Sequence, residues 1–329
     1  MFAALVHSVA AQAPSHLSHI TQLTFGGQNA EAYWAPDGRR LVFQSARDGH
    51  ACDQIYTMNA DGSNVRMVST GKGRTTCAYY LADGKHLLYA STHEGGDACP
   101  PAADRSKGYV WAVYPSYDIF TATEDGKLLG KLTEARGYDV EATVNRKTKR
   151  IVYTSLAGGD LDLWTMNSDG SHKRQITNTP GYDGGAVFSP DGTKIVWRAN
   201  HPATPETLAQ YKDFLSRDLV SPMKMEIFVA GSDGSRAAQV TSFGCASFAP
   251  TFTADGRKIL FASNKHACDS GKFELYLVNL DGTGLEPATD FGGFTSFPEF
   301  SPDGKRLVFT SDRNAKAPHE FNIFVADWR

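Results

Sequence analysis

The residues best suited to chemistry in this chain are carboxylates that precede short apolar runs at regular intervals. They are Glu31, Asp139, Glu141, Asp183 and Glu299. Carboxylate oxygens are the ligands that hard cations such as Ca²⁺ prefer, and a pair of carboxyl groups can also transfer protons. The alternative is structural, because acidic residues at the start of a strand also hydrogen-bond neighbouring backbone groups.

Aromatic and basic residues accompany these carboxylates. Tyr138 and Tyr182 lie in matching Gly-Tyr-Asp segments, and the basic candidates are Arg74, Arg198 and His201. Together with the carboxylates they predict a polar ligand-binding site. Taken singly, each basic residue is also compatible with an ordinary surface ion pair.

Motifs for covalent or cofactor chemistry are absent from the sequence. It contains no Gly-x-Ser-x-Gly elbow, no Walker loop, no His-Glu-x-x-His segment and no dinucleotide fingerprint after a strand. Hydrolysis through an activated nucleophile therefore has no support, and no catalytic residue is assigned.

The five cysteines indicate an oxidising compartment. Cys245 and Cys268 belong to one repeat unit and form the favoured disulfide. Cys77 could pair with Cys99 or with Cys52, which leaves one cysteine unpaired or bonded elsewhere. A metal site and a set of reduced, buried thiols remain as alternatives, although the cysteines and histidines do not cluster as zinc ligands do.

A repeated turn organises the elements that must position these residues. Turns of the form x-Asp-Gly follow an aromatic residue, and their aspartates are Asp37, Asp83, Asp191, Asp255 and Asp303. A degenerate copy at 145–148 has Lys147 in place of the aspartate, which makes the spacings 46, 64, 44, 64 and 48 residues. Each turn precedes a short β-rich run, and Asp-Gly is typical of tight hairpins.

Four strands in each unit of 44 to 48 residues predict the blades of a β-propeller. The sixth unit ends after its third strand, and residues 20–24 supply the missing strand. The predicted fold is therefore all-β, a six-bladed propeller of four-stranded antiparallel blades that the N-terminal strand closes. Its innermost strands line a central channel, and one residue per strand lies six positions before the turn: Glu31, Cys77, Glu141, Gly185, Ala249 and Phe297.

Two insertions lengthen the loops between second and third strands, at 93–117 in blade two and 200–224 in blade four. Both lie on the propeller face opposite the Asp-Gly turns. The second insertion predicts a short helix, since Thr204 can cap it and Pro205 suits its first position. We expect that helix to pack on its own blade.

The repeats resemble those of TolB-type propellers. The likeness rests on Phe188-Ser189-Pro190-Asp191-Gly192 and Met166-Asn167-Ser168-Asp169-Gly170-Ser171, and it covers residues 17–328. The resemblance implies a periplasmic protein with an envelope-protein partner, because TolB works with the peptidoglycan-associated lipoprotein. TolB carries an α/β domain ahead of its propeller, and the sequence predicts no such domain here.

Composition sets the remaining limits. Of 329 residues, 41% are hydrophobic, and 33 basic against 36 acidic residues give a net charge of −3, which does not indicate a nucleic-acid-binding surface. No apolar run is long enough to span a membrane. Residues 1–16 are interpreted as a signal-peptide remnant ending in Ala-Gln-Ala or as a disordered lead, and 17–329 as one propeller domain.

Two functions from different classes fit these observations. The first is an exported, periplasmic or secreted monomer that acts without catalysis and binds a protein, peptide or glycan at the channel mouth and inserted face. No cofactor is expected for it beyond a Ca²⁺ ion in the channel. The alternative is a propeller enzyme, a metal-assisted lyase or hydrolase that uses channel carboxylates on a glycan or peptide.

Overall fold

The computed structural model describes residues 16–106, 108–134 and 137–329. The predicted leader at 1–16 lies outside the described residues except for His16. The division into a leader and a propeller domain therefore stays a prediction.

The described residues form six four-stranded antiparallel sheets, as the repeat predicts. The strands of the first three blades, preceded by the closing strand, are β1 Leu17–Gln22, β2 Gln28–Trp34, β3 Arg40–Ala46, β4 Gln54–Asn59, β5 Arg66–Met67, β6 Thr75–Tyr80, β7 His86–Ser91, β8 Trp111–Ala112, β9 Asp118–Thr123, β10 Leu128–Lys131, β11 Asp139–Val144, β12 Arg150–Ser155, β13 Asp162–Asn167 and β14 Arg174–Gln175.

The remaining blades contain the α-helix α1, Pro205–Leu215. Their strands are β15 Tyr182–Phe188, β16 Lys194–Asn200, β17 Leu219–Val220, β18 Glu226–Gly231, β19 Ala238–Gln239, β20 Ser247–Phe252, β21 Lys258–Ser263, β22 Glu274–Asn279, β23 Glu286–Pro287, β24 Thr295–Phe300, β25 Arg306–Ser311 and β26 Asn322–Trp328. A 3₁₀ turn covers His93–Gly95.

The N-terminal strand closes the ring as predicted. β1 pairs antiparallel with β26, so blade six has the strand order β1-β26-β25-β24. Thr24 fixes this closure, because its hydroxyl donates to Asn322 Oδ1 at 3.1 Å and accepts the Ile323 N–H at 2.9 Å.

The same latch holds the outer strand of every blade. A Ser or Thr hydroxyl near the end of the blade bonds the polar residue that opens the third strand and accepts the following backbone N–H. The six pairs are Ser69 with Gln54, Thr133 with Asp118, Thr177 with Asp162, Thr241 with Glu226, Thr289 with Glu274 and Thr24 with Asn322. The acidic residues at these positions therefore stabilise the repeated blade structure and are not candidates for a ligand-binding site.

The apolar core lies between neighbouring blades. Trp34, Phe43 and Tyr56 of blade one pack against Val308 and Ile323 of blade six in one such cluster. Alternation along each strand places these side chains between sheets, and the burial of large apolar surfaces is the main contribution to folding. Other side chains of the innermost strands face the channel.

Candidate functional site

A β-bulge in each innermost strand builds the channel. The pairing of the first and second strands shifts register at the same place in all six blades. The residue at each bulge has a positive φ: Glu31 52°, Cys77 52°, Glu141 57°, Gly185 62°, Ala249 50° and Phe297 52°. Bulges redirect side chains, and these six residues line one cavity of about 180 Å³.

The six bulge residues are those that the turn spacing places in the channel. They differ in chemistry around the ring: blades one to three supply Glu31, Cys77 and Glu141, whereas blades five and six supply Ala249 and Phe297. The cavity is therefore polar on one side and apolar on the other at this level.

Arg198 of β16 and Glu141 of β11 form a buried ion pair across blades three and four. Arg198 also donates to Tyr182 Oη at 2.8 Å, and Glu141 Oε2 accepts Thr154 Oγ1 at 2.8 Å and the Gly185 N–H at 2.7 Å. Burial lowers the pKa of Arg198, but Glu141 and Tyr182 outweigh burial and raise that pKa overall. Both members of the pair are therefore charged.

Gly185 makes this ion pair possible. Its φ of 62° suits glycine, and a Cβ at this position would collide with the Arg198 guanidinium. The bulge residue of blade four thus leaves space that Arg198 occupies.

Glu31 has no comparable partner. In the described part of the chain no lysine or arginine forms an ion pair with it, since Arg198 is held by Glu141. Burial raises the pKa of Glu31 to about 7; the Cys77 thiol hydrogen bond lowers it, the Glu141 charge raises it and Arg198 lowers it. Glu31 is therefore divided between its acid and its carboxylate form at neutral pH.

The Cys77 thiol beside Glu31 is neutral. Burial raises the pKa of Cys77 well above its usual range, and the charges of Glu31 and Glu141 raise it further. A thiolate is the nucleophilic form of cysteine, so this environment disfavours nucleophilic catalysis by Cys77.

Glu299 forms the end of the cavity nearest the Asp-Gly turns. Its carboxylate accepts the Trp34 N–H at 2.5 Å and the Tyr79 hydroxyl. Arg146 extends from the degenerate turn of blade three, lies 3.8 Å from Glu299 and donates to the Trp34 carbonyl at 2.6 Å. Because Trp34 belongs to blade one and Glu299 to blade six, Arg146 crosses the axis at this end.

The two insertions form a roof over the other end. β8 of the blade-two insertion pairs antiparallel with β17 of the blade-four insertion, with Trp111 opposite Val220. The Trp111 ring lies 5.1 Å from the Arg198 guanidinium and lines the cavity. The predicted helix α1 is present with Thr204 as its cap, and Tyr211 of that helix packs with Val220 beneath the roof.

Two predicted site residues face away from the cavity. Asp183 is fully buried and accepts Trp197 Nε1 at 2.6 Å, with His201 Nε2 at 3.1 Å. Asp139 is 1% exposed, and burial raises its pKa to about 6, although hydrogen bonds from Ser155 lower it. Contrary to the sequence interpretation, Asp139 and Asp183 do not join the carboxylates of the channel.

The other predicted residues are divided between the cavity and its surroundings. Tyr138 lines the cavity together with Glu31, Glu141, Arg198 and Glu299. The Tyr182 hydroxyl accepts a hydrogen bond from Arg198. Arg74 pairs with Asp53 at 3.1 Å in an adjoining cavity, which Tyr138 and Trp111 also line.

Solved structures share this architecture. The structure assigned to TolB from Agrobacterium tumefaciens matches with a TM-score of 0.62 at 17% identity, over 92% of this chain and 91% of that chain. This chain has the TolB-type propeller fold. An oligogalacturonate lyase in complex with manganese matches with a TM-score of 0.55 at 15% identity, over 96% of this chain and 94% of that chain.

The sequence relatives of this chain are distant. No protein-family model matches the chain. It is 24% identical over 180 residues to the uncharacterized peptidase YuxL of Bacillus subtilis (strain 168), covering 54% of the chain and 23% of that protein. It is 25% identical over 160 residues to the TolB homolog of Chlorobium chlorochromatii (strain CaD3), covering 49% of the chain and 31% of that protein. The matches therefore span less than a third of either curated relative.

The channel of this TolB-type propeller does not fit the predicted Ca²⁺ ion. Ca²⁺ takes six to eight oxygen ligands. Glu141 is occupied by Arg198, and Glu299 by Tyr79 and the Trp34 N–H, which leaves Glu31. Across the described ranges, no group of three or more His, Cys, Asp or Glu side chains has an arrangement that could hold a metal ion.

The propeller contains two disulfides, Cys52–Cys99 and Cys245–Cys268. The second is the pair that the sequence favours. The predicted pairing of Cys77 with Cys99 or Cys52 is wrong, because Cys77 lies at the bulge of β6 and keeps a free thiol in the channel. Cys52–Cys99 instead joins the blade-two insertion to blade one.

Sequence reasoning missed Trp111, Arg146 and the β8–β17 roof. The Lys147 turn departs from the Asp-Gly pattern, and this departure was the signal that its neighbour Arg146 has another role. Nothing in the spacing indicates that the two insertions pair, because they belong to different blades. Among the described residues no helix has the length and apolarity to cross a membrane.

Proposed function

We propose that this TolB-type propeller is a non-enzymatic binding protein that receives part of a protein, peptide or glycan ligand in its roofed channel. The observation that carries the proposal is the lining of the cavity. Its acidic groups Glu141 and Glu299 already have internal partners, which suits a rigid, preorganised binding site, while Trp111, Phe248 and Phe297 add apolar surface.

Export to the periplasm or the extracellular space belongs to the same proposal. The two disulfides support it, since disulfides persist in oxidising compartments. The fold shared with TolB supports an envelope protein as the partner of a monomeric propeller.

One observation favours a second candidate, an enzyme that acts on a glycan. Glu31, with its pKa raised by burial to about 7, could serve as a general base at neutral pH. The lyase with the same fold adds fold-level support only.

The test is selection of peptides and glycans on immobilised protein, followed by affinity measurement with two variants. Ala249→Trp fills the cavity, whereas Ala237→Trp makes the same change at an exposed site between β18 and β19. We expect Ala249→Trp to weaken binding at least tenfold and Ala237→Trp to leave it unchanged, with circular dichroism confirming the fold of both. Equal affinity in both variants contradicts the channel as the binding site, and turnover of a bound glycan that Glu31→Gln abolishes favours the enzyme.

A further inference from the structure

We infer that the cavity is specific for an organic ammonium group carried on an apolar skeleton, such as a lysine side chain or a peptide amino terminus. The inference rests on the proposed function, because it specifies the chemistry of the ligand that this binding protein receives.

The charges around the cavity leave one acid uncompensated. Glu141 is neutralised by Arg198, and Glu299 has Arg146 at 3.8 Å. Glu31 remains, with only the Cys77 thiol as a hydrogen-bonding side chain. A buried carboxylate is costly without a cation or several hydrogen-bond donors. A ligand that supplies both a positive charge and N–H donors removes that cost.

An anionic ligand would meet an arginine that already has a carboxylate partner. Arg198 is the cation on the cavity wall; its Nη2 donates to Glu141 and Tyr182, and Trp111 lies 5.1 Å from the guanidinium. A ligand carboxylate or phosphate would have to share Arg198 with Glu141 and would lie beside the negative charges of Glu141 and Glu31, at an electrostatic cost. This cost disfavours anionic ligands.

The remaining wall suits an alkylammonium or arylalkylammonium ion. Tyr33 and Tyr79 have ring centroids 5.2 Å apart, and Phe248 and Phe297 have centroids 5.7 Å apart. These rings and Trp111 line the same cavity as Glu31. Aromatic rings attract ammonium groups, and the apolar side of the cavity can cover the carbon skeleton.

Binding of an ammonium ion is coupled to the ionisation of Glu31. The titratable and charged groups around Glu31 are Tyr33 on its own strand, Asp53 and Cys77 from blades one and two, and Glu141 and Arg198 from blades three and four. Because the pKa of Glu31 is about 7, the site is mainly protonated at pH 6 and mainly ionised at pH 8. The apparent affinity for a cation should therefore fall about tenfold from pH 8 to pH 6, in proportion to the ionised fraction.

The experiment is isothermal titration calorimetry with three small probes of similar shape: phenethylamine, phenethyl alcohol and 3-phenylpropionate. We expect phenethylamine to bind at least tenfold more tightly than the other two at pH 8 and to lose about tenfold in affinity at pH 6, where its binding should release about one proton as Glu31 ionises. Glu31→Gln should remove both the preference for the amine and the pH dependence. Glu94→Gln, a change of the same type at an exposed side chain, should retain them.

Each result either supports or overturns the inference. Equal affinities for amine and alcohol, an amine affinity that Glu31→Gln leaves unchanged, or binding of no probe contradicts ammonium specificity. These results leave the proposed function standing if selected peptides or glycans still bind and Ala249→Trp still weakens them. If Ala249→Trp has no effect on any ligand, the channel site itself is wrong.

Discussion

At the scale of single residues, three glutamates share one cavity and have three different surroundings. Glu141 holds Arg198, Glu299 is enclosed by Tyr79 and Trp34, and Glu31 has the weakest set of partners. The three glutamates differ in their partners because each carboxyl group lies next to residues of a different blade. It makes Glu31 the group whose protonation responds to conditions near neutral pH.

Glu31→Gln should change how stability depends on pH. Burial raises the pKa of Glu31 from 4.5 to about 7 in the folded protein, so folding favours the protonated acid. Stability from this group is complete below the unfolded pKa and is lost as pH rises from about 4.5 to about 7, by up to about 3 kcal/mol. The variant should equal the wild type at pH 4 and exceed its free energy of unfolding at pH 8.

Urea unfolding at the two pH values measures this difference. Other buried acids such as Asp139 and Asp162 also titrate, but they are present in both proteins and cancel. Glu94→Gln provides the control, since its side chain is about half exposed at 51%. A constant gap between wild type and Glu31→Gln across this range would contradict the raised pKa.

Much of the residue-scale geometry could be predicted from the turn spacing, and part of it could not. Counting six positions back from each turn identifies the six bulge residues that line the cavity, because every blade has the same bulge. The sequence placed Asp139 and Asp183 in the channel because their strands also begin near it. The structure shows that they face away from the cavity, toward Ser155 and Trp197.

At the scale of elements, the bulge is the device that makes a channel wall out of a strand. Its positive φ costs about 1 kcal/mol or more for a residue with a Cβ. Five of the six blades accept that cost with Glu31, Cys77, Glu141, Ala249 and Phe297, whereas blade four has Gly185. A role of these five side chains in the cavity explains why glycine does not occupy every bulge.

Ala249→Gly should therefore stabilise the protein. The φ of Ala249 is 50° and the residue is only partly buried at the cavity wall, so relief of the backbone should raise the free energy of unfolding by about 1 kcal/mol. The matched control is Ala142→Gly, a buried position next to a bulge and without a positive φ. We expect that control to lose about 1 kcal/mol or more, from added backbone entropy and a lost methyl group.

Denaturant titration of the two variants gives the comparison. If both glycines destabilise to the same extent, the backbone of β20 at Ala249 is not strained.

Blade number, strand order and ring closure were predictable from the sequence because they repeat. The roof was not predictable, because β8 and β17 pair across two blades and have only two residues each.

At the scale of the whole molecule, two covalent links secure the face that carries the roof. Cys52–Cys99 spans 47 residues and Cys245–Cys268 spans 23. Each disulfide reduces the number of conformations that the unfolded chain can adopt. The disulfide that closes the larger loop should therefore contribute more to stability.

The double variant Cys52→Ser/Cys99→Ser should lose about 4 kcal/mol of unfolding free energy, and Cys245→Ser/Cys268→Ser about 3 kcal/mol, on the chain-entropy estimate. Urea unfolding under non-reducing conditions measures both losses. Thiol titration of the denatured wild type should find the single free thiol of Cys77, and Cys77→Ser should remove it. Five reactive thiols in protein from an oxidising preparation would show that these disulfides do not form.

The position of Arg146 has a consequence for any polymeric ligand. This side chain crosses the axis beside the Asp-Gly turns, between blade three and blades one and six. A ligand chain that enters beneath the roof therefore meets the Arg146 side chain at the opposite end of the channel. Under the proposed binding function, a polymer would therefore enter with a terminus or a projecting side group, and its affinity should follow the number of its ends and branches and not its length.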